Sequence, residues 1–224
     1  MQETLLIDGH VHLYPILNLS ILIKNAIKNF VVAQRTLSIR DDAVKVWLLT
    51  ERYDCSQFDE LLQQPKVEGY TIHTTEEETS LLVRDIMTRE PILYMIAGRQ
   101  IVSRDNLEIC CLGSRYYKQD RSLSEVELVE EIIQADGVPA LNWAPGKWFG
   151  TRGKIVQNIL HTLRPGQLLI SDTSMRPAFW PTPTLMREAM KMGYKVIAGS
   201  DPLPFEGEEK MIATYASLVQ GEFD

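Results

Sequence analysis

The segment Asp8-Gly9-His10-Val11-His12 contains the residue types in this chain best suited to chemistry. Successive side chains of a strand point to opposite faces, so Asp8, His10 and His12 would all project to one side. Two imidazoles at this spacing can bind one metal ion, and a carboxylate beside them can join the metal or orient an imidazole. The spacing therefore predicts half of a metal site, although an exposed strand can carry such a pair without any function.

Acidic residues on or after later strands could complete the site. Glu108 lies in an apolar run, where a buried carboxylate is costly unless it is paired, hydrogen-bonded or bound to a metal. Asp172 and Asp201 each follow a predicted strand, where an aspartate more commonly caps a turn or a helix. We expect Asp8, Glu108 and Asp201 as further metal ligands, and Asp172, Glu108 and Asp201 as candidate catalytic carboxylates. A structural salt bridge at Glu108 remains an equal alternative.

Three cations after predicted strands could bind an anion. Lys147 and Arg152 lie in a glycine-rich loop, residues 145–153, that leads from a strand into a helix. The free backbone N–H groups of a helix start favour anions at such a place. Arg176 follows the next strand, and Gln100 could also reach the site. These four residues are the predicted substrate-binding group, although each could instead be an ordinary surface residue.

The other histidines and the cysteines carry weaker signals. His73 and His161 are expected on the surface. Cys55, Cys110 and Cys111 do not form a disulfide pattern, because their number is odd and two of them are adjacent. We interpret all three as small buried hydrophobic residues.

The elements that must position these residues alternate between strands and helices over most of the chain. Strands are predicted at residues 5–12, 44–50, 107–112, 138–143, 167–171 and 195–199. Helices are predicted at residues 16–34, 56–63, 124–135, 152–163, 184–192 and 208–219. This alternation is typical of a parallel sheet, and chemistry in β/α barrels lies at the carboxyl ends of the strands.

The region from residue 69 to residue 106 departs from the alternation. Strands are predicted at residues 70–74, 80–84, 92–97 and 100–103, with no helical pattern between them and a tight turn at Gly98-Arg99. We therefore expect one domain over residues 1–224, with an α/β fold. Its predicted architecture is a distorted TIM-like (β/α) barrel with an antiparallel β-meander inserted at residues 69–106.

Composition narrows the classes of partner. The chain has 224 residues and a net charge of −7, which argues against a nucleic-acid backbone as the main partner. Lys24 and Lys28 interrupt the apolar stretch at residues 16–32, so no membrane span is predicted. Residues 1–4 lack the basic start of a secretory signal, and we expect a cytoplasmic protein.

Three short motifs resemble known metal-dependent hydrolases. Asp8-Gly9-His10-Val11-His12 resembles the opening strand of the polymerase and histidinol phosphatase (PHP) phosphoesterases and of the amidohydrolases. Asn106-Leu107-Glu108-Ile109 looks like the mid-chain glutamate motif of the PHP pattern, and Gly199-Ser200-Asp201 is similar to the last-strand aspartate motif of either family. The chain departs from both families elsewhere. Pro202-Leu203-Pro204 stands where PHP enzymes usually have a histidine, and four histidines in total cannot supply either full ligand set.

The resemblance and the residues together imply a metal-dependent hydrolase with a reduced site. A zinc or manganese ion would be held by His10, His12 and Asp201, and it would make a bound water more acidic. The predicted cations favour a phosphoester or another anionic small molecule as substrate, over the amide or lactone of an amidohydrolase. The alternative hypothesis is a non-catalytic protein that binds an anionic small molecule and whose metal site is degenerate.

Overall fold

The strands of this protein form two mixed sheets. The computed structural model describes residues 3–40 and 42–223, so the first two residues of the amino-terminal segment considered above lie outside the described part of the chain. The seven-stranded sheet contains β1 (Glu3–Val11), β2 (Val44–Leu49), β3 (Lys66–Val67), β4 (Tyr70–Thr74), β5 (Ser80–Asp85), β6 (Pro91–Ile96) and β12 (Ser217–Gly221). The five-stranded sheet contains β7 (Gly98–Val102), β8 (Glu108–Leu112), β9 (Val138–Asn142), β10 (Leu169–Thr173) and β11 (Val196–Gly199).

The prediction of a TIM-like barrel is wrong. The strand orders are β12-β1-β2-β6-β5-β4-β3 and β11-β10-β9-β8-β7, and over residues 3–40 and 42–223 these sheets form no closed barrel. The named pairs β1–β2, β2–β6, β9–β10 and β10–β11 are parallel, whereas the other named pairs are antiparallel. A TIM barrel needs eight parallel strands, each followed by a helix. Here the antiparallel strands between residues 66 and 112 take up places in both sheets, so the fold is sheet-rich α+β.

Five α-helices cover the two sheets. They are α1 (Leu19–Leu37), α2 (Gln57–Gln63), α3 (Glu125–Gln134), α4 (Gly150–Thr162) and α5 (Thr184–Lys191). Leu22, Ile23 and Phe30 of α1 pack with the first sheet in one apolar core, and α3, α4 and α5 pack with the second sheet in another. Burial of these faces supplies most of the stability of such layers. Among the described residues, no helix is both long enough and apolar enough to cross a bilayer.

Most predicted elements exist with shifted ends, but two predictions about local structure are wrong. Gly98 and Arg99 do not form a tight turn; they begin β7, and the chain passes almost directly from β6 in one sheet to β7 in the other. A Cβ at Gly98 would lie 2.2 Å from the carbonyl oxygen of Leu49, so glycine permits a close approach of two strands there. The predicted helix at residues 208–219 is a short 3₁₀ turn, Glu208–Lys210, followed by the strand β12.

The two sheets meet along β1. The Asp201 backbone N–H donates to the carbonyl of His10 at 2.9 Å, which joins the end of β1 to the segment after β11. On the other side, the Thr50 N–H donates to the carbonyl of Val11 at 2.8 Å. Gly199 allows this contact because a Cβ there would lie 2.3 Å from the Cβ of His10. The end of β1 therefore contacts strand segments of both sheets, and His10 and His12 lie at this junction.

Candidate metal centre

The pairing register of the second sheet puts a patch of polar side chains at one end of the space between the sheets. Cys110 pairs with Gln100 and with Ala140, and Ala140 pairs with Leu169, so these side chains share a face. Two residues further toward the carboxyl ends of β9 and β10, Asn142 and Ser171 pair on that same face. Because side chains alternate along a strand, polar groups replace apolar ones near this end.

His10, His12 and Asp201 converge at this end. The two Nε2 atoms are 3.1 Å apart, and Asp201 Oδ1 lies 3.6 Å from His10 Nε2 and 3.4 Å from His12 Nε2. Both imidazoles are buried, while the Asp201 side chain is 18% exposed. Asp201 has a positive φ of 47°, and this backbone conformation directs the segment after β11 back over β1. The group therefore combines His10 from the end of β1, His12 from just after that strand and Asp201 from just after β11.

The spacing of the group fits a small divalent ion. Zinc–nitrogen distances of 2.0–2.1 Å in a tetrahedral site put neighbouring ligand atoms about 3.3 Å apart. The three observed separations lie on either side of that value. Two imidazole nitrogens and one carboxylate oxygen are also a common zinc donor set, and they leave a fourth position open. The residues present therefore fit the ion that the sequence predicts.

The surroundings keep the His12 imidazole in the form that binds metal and hold the His10 ring in place. Burial, then the nearby His10 ring and Arg52, hold the pKa of His12 well below its ordinary value, so this ring is neutral. His10 Nδ1 lies 3.5 Å from Ser171 Oγ and 3.8 Å from Cys110 Sγ, contacts that position its ring with Nε2 toward the group. His12 Nδ1 is buried with no hydrogen-bond partner among the described residues, so contacts of Nε2 and packing against the Tyr14 ring orient that imidazole.

Asp8 stabilises the backbone around the histidines and is not one of the three converging ligand residues. Its carboxylate accepts hydrogen bonds from the backbone N–H groups of Ser200 and Ala213, each at 2.8 Å, and from the Ser200 hydroxyl. A weaker bond of 3.3 Å comes from the His10 N–H. Burial raises the pKa of Asp8 to about 6, while the hydrogen bonds act in the opposite direction. Asp8 thereby ties β1 to the segments that follow β11.

The other predicted carboxylates are engaged in ion pairs. Lys147 Nζ lies 2.5 Å from Glu108 Oε1, so the predicted salt bridge at Glu108 exists. Arg176 binds the buried Asp172 through two nitrogens, at 3.0 Å from Nε to Oδ1 and 2.6 Å from Nη2 to Oδ2. Tyr215 also donates to Asp172 at 2.8 Å. Two of the three predicted anion-binding cations therefore have carboxylate partners within the protein.

The remaining predicted residues are more dispersed. Arg152 donates to the carbonyl of Gly146 at 3.1 Å, within its own loop. Gln100 accepts a hydrogen bond from Asn142 at 3.2 Å and lies near the histidines. His73 and His161 are exposed, as predicted. The three cysteines are buried and free, as predicted.

A cavity of about 470 Å³ is lined by two of the predicted site residues but by none of His10, His12 and Asp201, and most of its polar lining was missed by the sequence analysis. Gln100 and Glu108 line it together with Arg52, Lys118 and Arg121. Arg52 lies shortly after the end of β2, just as the predicted site residues lie on or after other strands. Its position could therefore have identified it as a candidate site residue. Lys118 and Arg121 lie in the irregular stretch between β8 and α3, where no periodicity or motif marks them.

Comparisons with known proteins show a similar fold and no family. No protein-family model matches the chain, and no curated protein matches it. Among solved structures, it is similar to the crystal structure of PsfC from Pseudomonas syringae PB-5123, with a TM-score of 0.50 and 13% sequence identity. The match covers 89% of this chain and 77% of that chain. Similarity at this identity concerns the fold alone.

The resemblance to PHP and amidohydrolase enzymes is wrong as an assignment of family. Both implied a TIM-type barrel, whereas the described residues form two mixed sheets. The comparisons also give no support for placing the chain among hydrolases. The short motifs were shared because any strand that ends in a metal-binding pair needs similar residue types at alternate positions.

Proposed function

We propose that this protein binds one divalent metal ion through His10, His12 and Asp201 and uses it to hydrolyse an anionic small molecule. The observation that supports the proposal is the convergence of these three ligand atoms, all within 4.8 Å of one another. They come from opposite ends of the chain, so proximity in sequence does not explain the grouping. A phosphoester is the favoured substrate class.

Zinc or manganese is the proposed ion. When bound, such an ion supplies Lewis acidity, which polarises a substrate oxygen and makes a water molecule more acidic. Imidazole nitrogens can bind either ion, and a nitrogen-rich donor set favours zinc.

The protein's own groups have separate tasks in this proposal. Ser171 and Cys110 hold the His10 ring, and the low pKa of His12 keeps its nitrogen free of a proton. Asp201 is the partly exposed carboxylate of the group, and we assign to it contact with the metal and acceptance of a proton from water. Glu108 and Asp172 are less suited to accept a proton, because each already forms an ion pair.

A second candidate is a non-catalytic metal-dependent binding protein for an anionic small molecule. The observation in its favour is that both carboxylates predicted as general bases are paired with cations, Glu108 with Lys147 and Asp172 with Arg176. Metal binding is common to these two candidates, so turnover separates them. The alternative expected from the sequence, an anion-binding protein with a degenerate metal site, would bind no ion.

The first test is metal stoichiometry and affinity. Calorimetric titration of the metal-free protein with zinc should give one ion per chain. His12→Ala should weaken zinc binding about a hundredfold or more, because a ligand is lost from a site of three. His73→Ala is the matched control, since it removes an exposed histidine far from the group, and should bind zinc like the unaltered protein.

The second test is turnover with zinc or manganese on p-nitrophenyl phosphate. Hydrolysis that disappears in His12→Ala supports the enzyme, whereas metal binding without hydrolysis of phosphoesters, amides or lactones supports the binding protein. If the unaltered protein binds no divalent ion, or if His10→Ala and His12→Ala bind zinc normally, both candidates fail.

A further inference from the structure

We infer that the cavity lined by Arg52, Lys118 and Arg121 is the substrate pocket, and that it takes a phosphate monoester carrying a flat apolar group. This deepens the proposed function and rests on it for the claim that the bound anion is the substrate. It also moves anion recognition away from Lys147 and Arg176 and to three cations that line one cavity.

The charge lining the cavity is positive. Three cationic side chains face it, and the one carboxylate in its wall is Glu108. Lys147 Nζ lies 2.5 Å from Glu108 and offsets that carboxylate. Lys118 lies 3.4 Å from Glu131 and Arg52 lies 3.0 Å from Asp54, so Arg121 supplies the net positive charge. A concave wall with one sign of charge attracts the opposite sign, and this preference persists although the whole chain is acidic.

Contacts within the protein restrict the conformation of the Arg52 side chain before a ligand binds. Its guanidinium lies 5.8 Å from the ring centres of both Tyr14 and Tyr53, which restricts it to the space between the two rings. One nitrogen contacts Asp54 at 3.0 Å. A guanidinium has five N–H donors, so the contact with Asp54 leaves donors for a phosphate. Fixing the side chain in advance reduces the entropy lost on binding.

Two sets of contacts connect the cavity with the histidines. On one side, Arg52 packs over Tyr14, and the Tyr14 ring centre is 5.2 Å from that of His12. On the other side, Gln100 in the cavity wall bonds Asn142 at 3.2 Å, and Asn142 accepts from Cys110 at 3.4 Å. Cys110 in turn contacts His10. An anion held by Arg52 would therefore lie about one side chain, that of Tyr14, away from His12.

Aromatic walls and volume define the rest of the ligand. Tyr53 and Tyr117 line the cavity, and Arg99 covers Tyr117 at 5.9 Å from its ring centre. Flat faces of this kind pack against planar apolar groups. A volume of about 470 Å³ is in the range of small-molecule pockets and is larger than a phosphate ion alone requires. The pocket therefore suits an ester with a ring rather than inorganic phosphate.

The test measures binding to the metal-free protein, so it needs no turnover. Calorimetric titrations with inorganic phosphate and with phenyl phosphate should show tighter binding of phenyl phosphate. The double variant Arg52→Gln/Arg121→Gln should weaken both ligands about tenfold or more, because charge-assisted hydrogen bonds are lost. Arg121→Gln alone, at an exposed position, should show part of this loss if the double variant folds poorly. Tyr117→Leu should weaken phenyl phosphate and leave inorganic phosphate unchanged.

Arg40→Gln is the matched control. Arg40 contacts Asp42 at 2.7 Å, and Arg52 contacts Asp54 at the same spacing along the chain. Unlike Arg52, Arg40 is exposed and does not line the cavity. Its phosphate affinity should equal that of the unaltered protein. The inference is overturned if neither ligand binds, or if Arg40→Gln and the double variant weaken binding equally. Zinc titrations keep the two proposals apart, and the double variant should bind zinc normally. If the unaltered protein binds zinc but neither phosphate ligand, only the pocket is disproved; if it binds phosphate but no zinc, only the metal centre is disproved.

Discussion

Asp8, His10 and His12 look equivalent in sequence but have different environments. Asp8 and His10 occupy alternate positions of β1 and His12 directly follows the strand, so strict alternation would give all three one shared face. The pairing of β1 with β2 changes register between Asp8 and Val11, so the strand is irregular across this motif. The histidines turn toward Asp201, whereas Asp8 bonds the backbone of Ser200 and Ala213.

At the level of single residues, Asp8→Ala should destabilise the protein strongly. The change leaves the buried N–H groups of Ser200 and Ala213 without an acceptor, and we expect a loss of about 3 kcal/mol in the free energy of unfolding. Urea unfolding followed by circular dichroism measures it. Asp85→Ala is the control, because Asp85 also accepts from two backbone N–H groups but at the surface, where water replaces it. Equal losses in the two variants would contradict the structural role of Asp8.

At the level of elements, close contact between β1 and β11 brings the metal ligands together. Gly199 lies against His10, and any side chain at this position would occupy space that His10 already fills. Glycine is therefore needed here because two strands pack closely, and not because the backbone turns: its close neighbour is His10 of β1.

Gly199→Ala should disturb both stability and the metal centre. The added Cβ would meet His10 atoms at 2.3 Å, so the strands must separate, at a cost of about 2 kcal/mol or more. Zinc affinity should fall with it because His10 moves relative to Asp201. Gly166→Ala is the control, as no atom lies within 4 Å of its added Cβ. Calorimetric zinc titration and urea unfolding check both effects, and normal zinc binding by Gly199→Ala would contradict the role given to this contact.

The carboxyl-terminal segment illustrates how contacts between elements override a local pattern. Residues 208–219 have apolar spacing that predicts a helix, yet Asn25 and Asn29 of α1 donate hydrogen bonds to carbonyls of Glu209, Lys210 and Ile212. An α-helix would use such carbonyls for its own bonds. The segment forms irregular turns instead, and β12 then pairs antiparallel with β1.

At the level of the whole molecule, the proposed metal would cross-link the two sheets. His10 and His12 come from or just after β1 of the first sheet, and Asp201 follows β11 of the second. An ion that binds only the folded protein stabilises it in proportion to the logarithm of its concentration.

Zinc should therefore raise the unfolding temperature of the unaltered protein. At a free zinc concentration one hundred times the dissociation constant, the expected gain is about 2.7 kcal/mol. Differential scanning calorimetry with and without zinc measures the shift. His12→Ala should show little shift, while His73→Ala should respond like the unaltered protein. A shift of equal size in all three proteins would mean that zinc binds elsewhere.

The sequence by itself determined the local features. The period of apolar residues indicated most strands and helices, because burial of one face imposes that period on any amphipathic element. Residue types and spacing also identified His10, His12 and Asp201 as possible ligands of one ion, and the structure brings these three together.

Only the tertiary structure decided how strands are shared between two sheets, which carboxylates are free and where cations gather. Antiparallel strands such as β7 and β8 carry the same apolar patterns as parallel ones, so the pattern did not exclude a barrel. Glu108 meets Lys147, 39 residues away along the chain, and Arg52 reaches a cavity shared with Lys118 and Arg121. These outcomes depend on contacts between residues far apart in the chain, and local periodicity carries no information about such contacts.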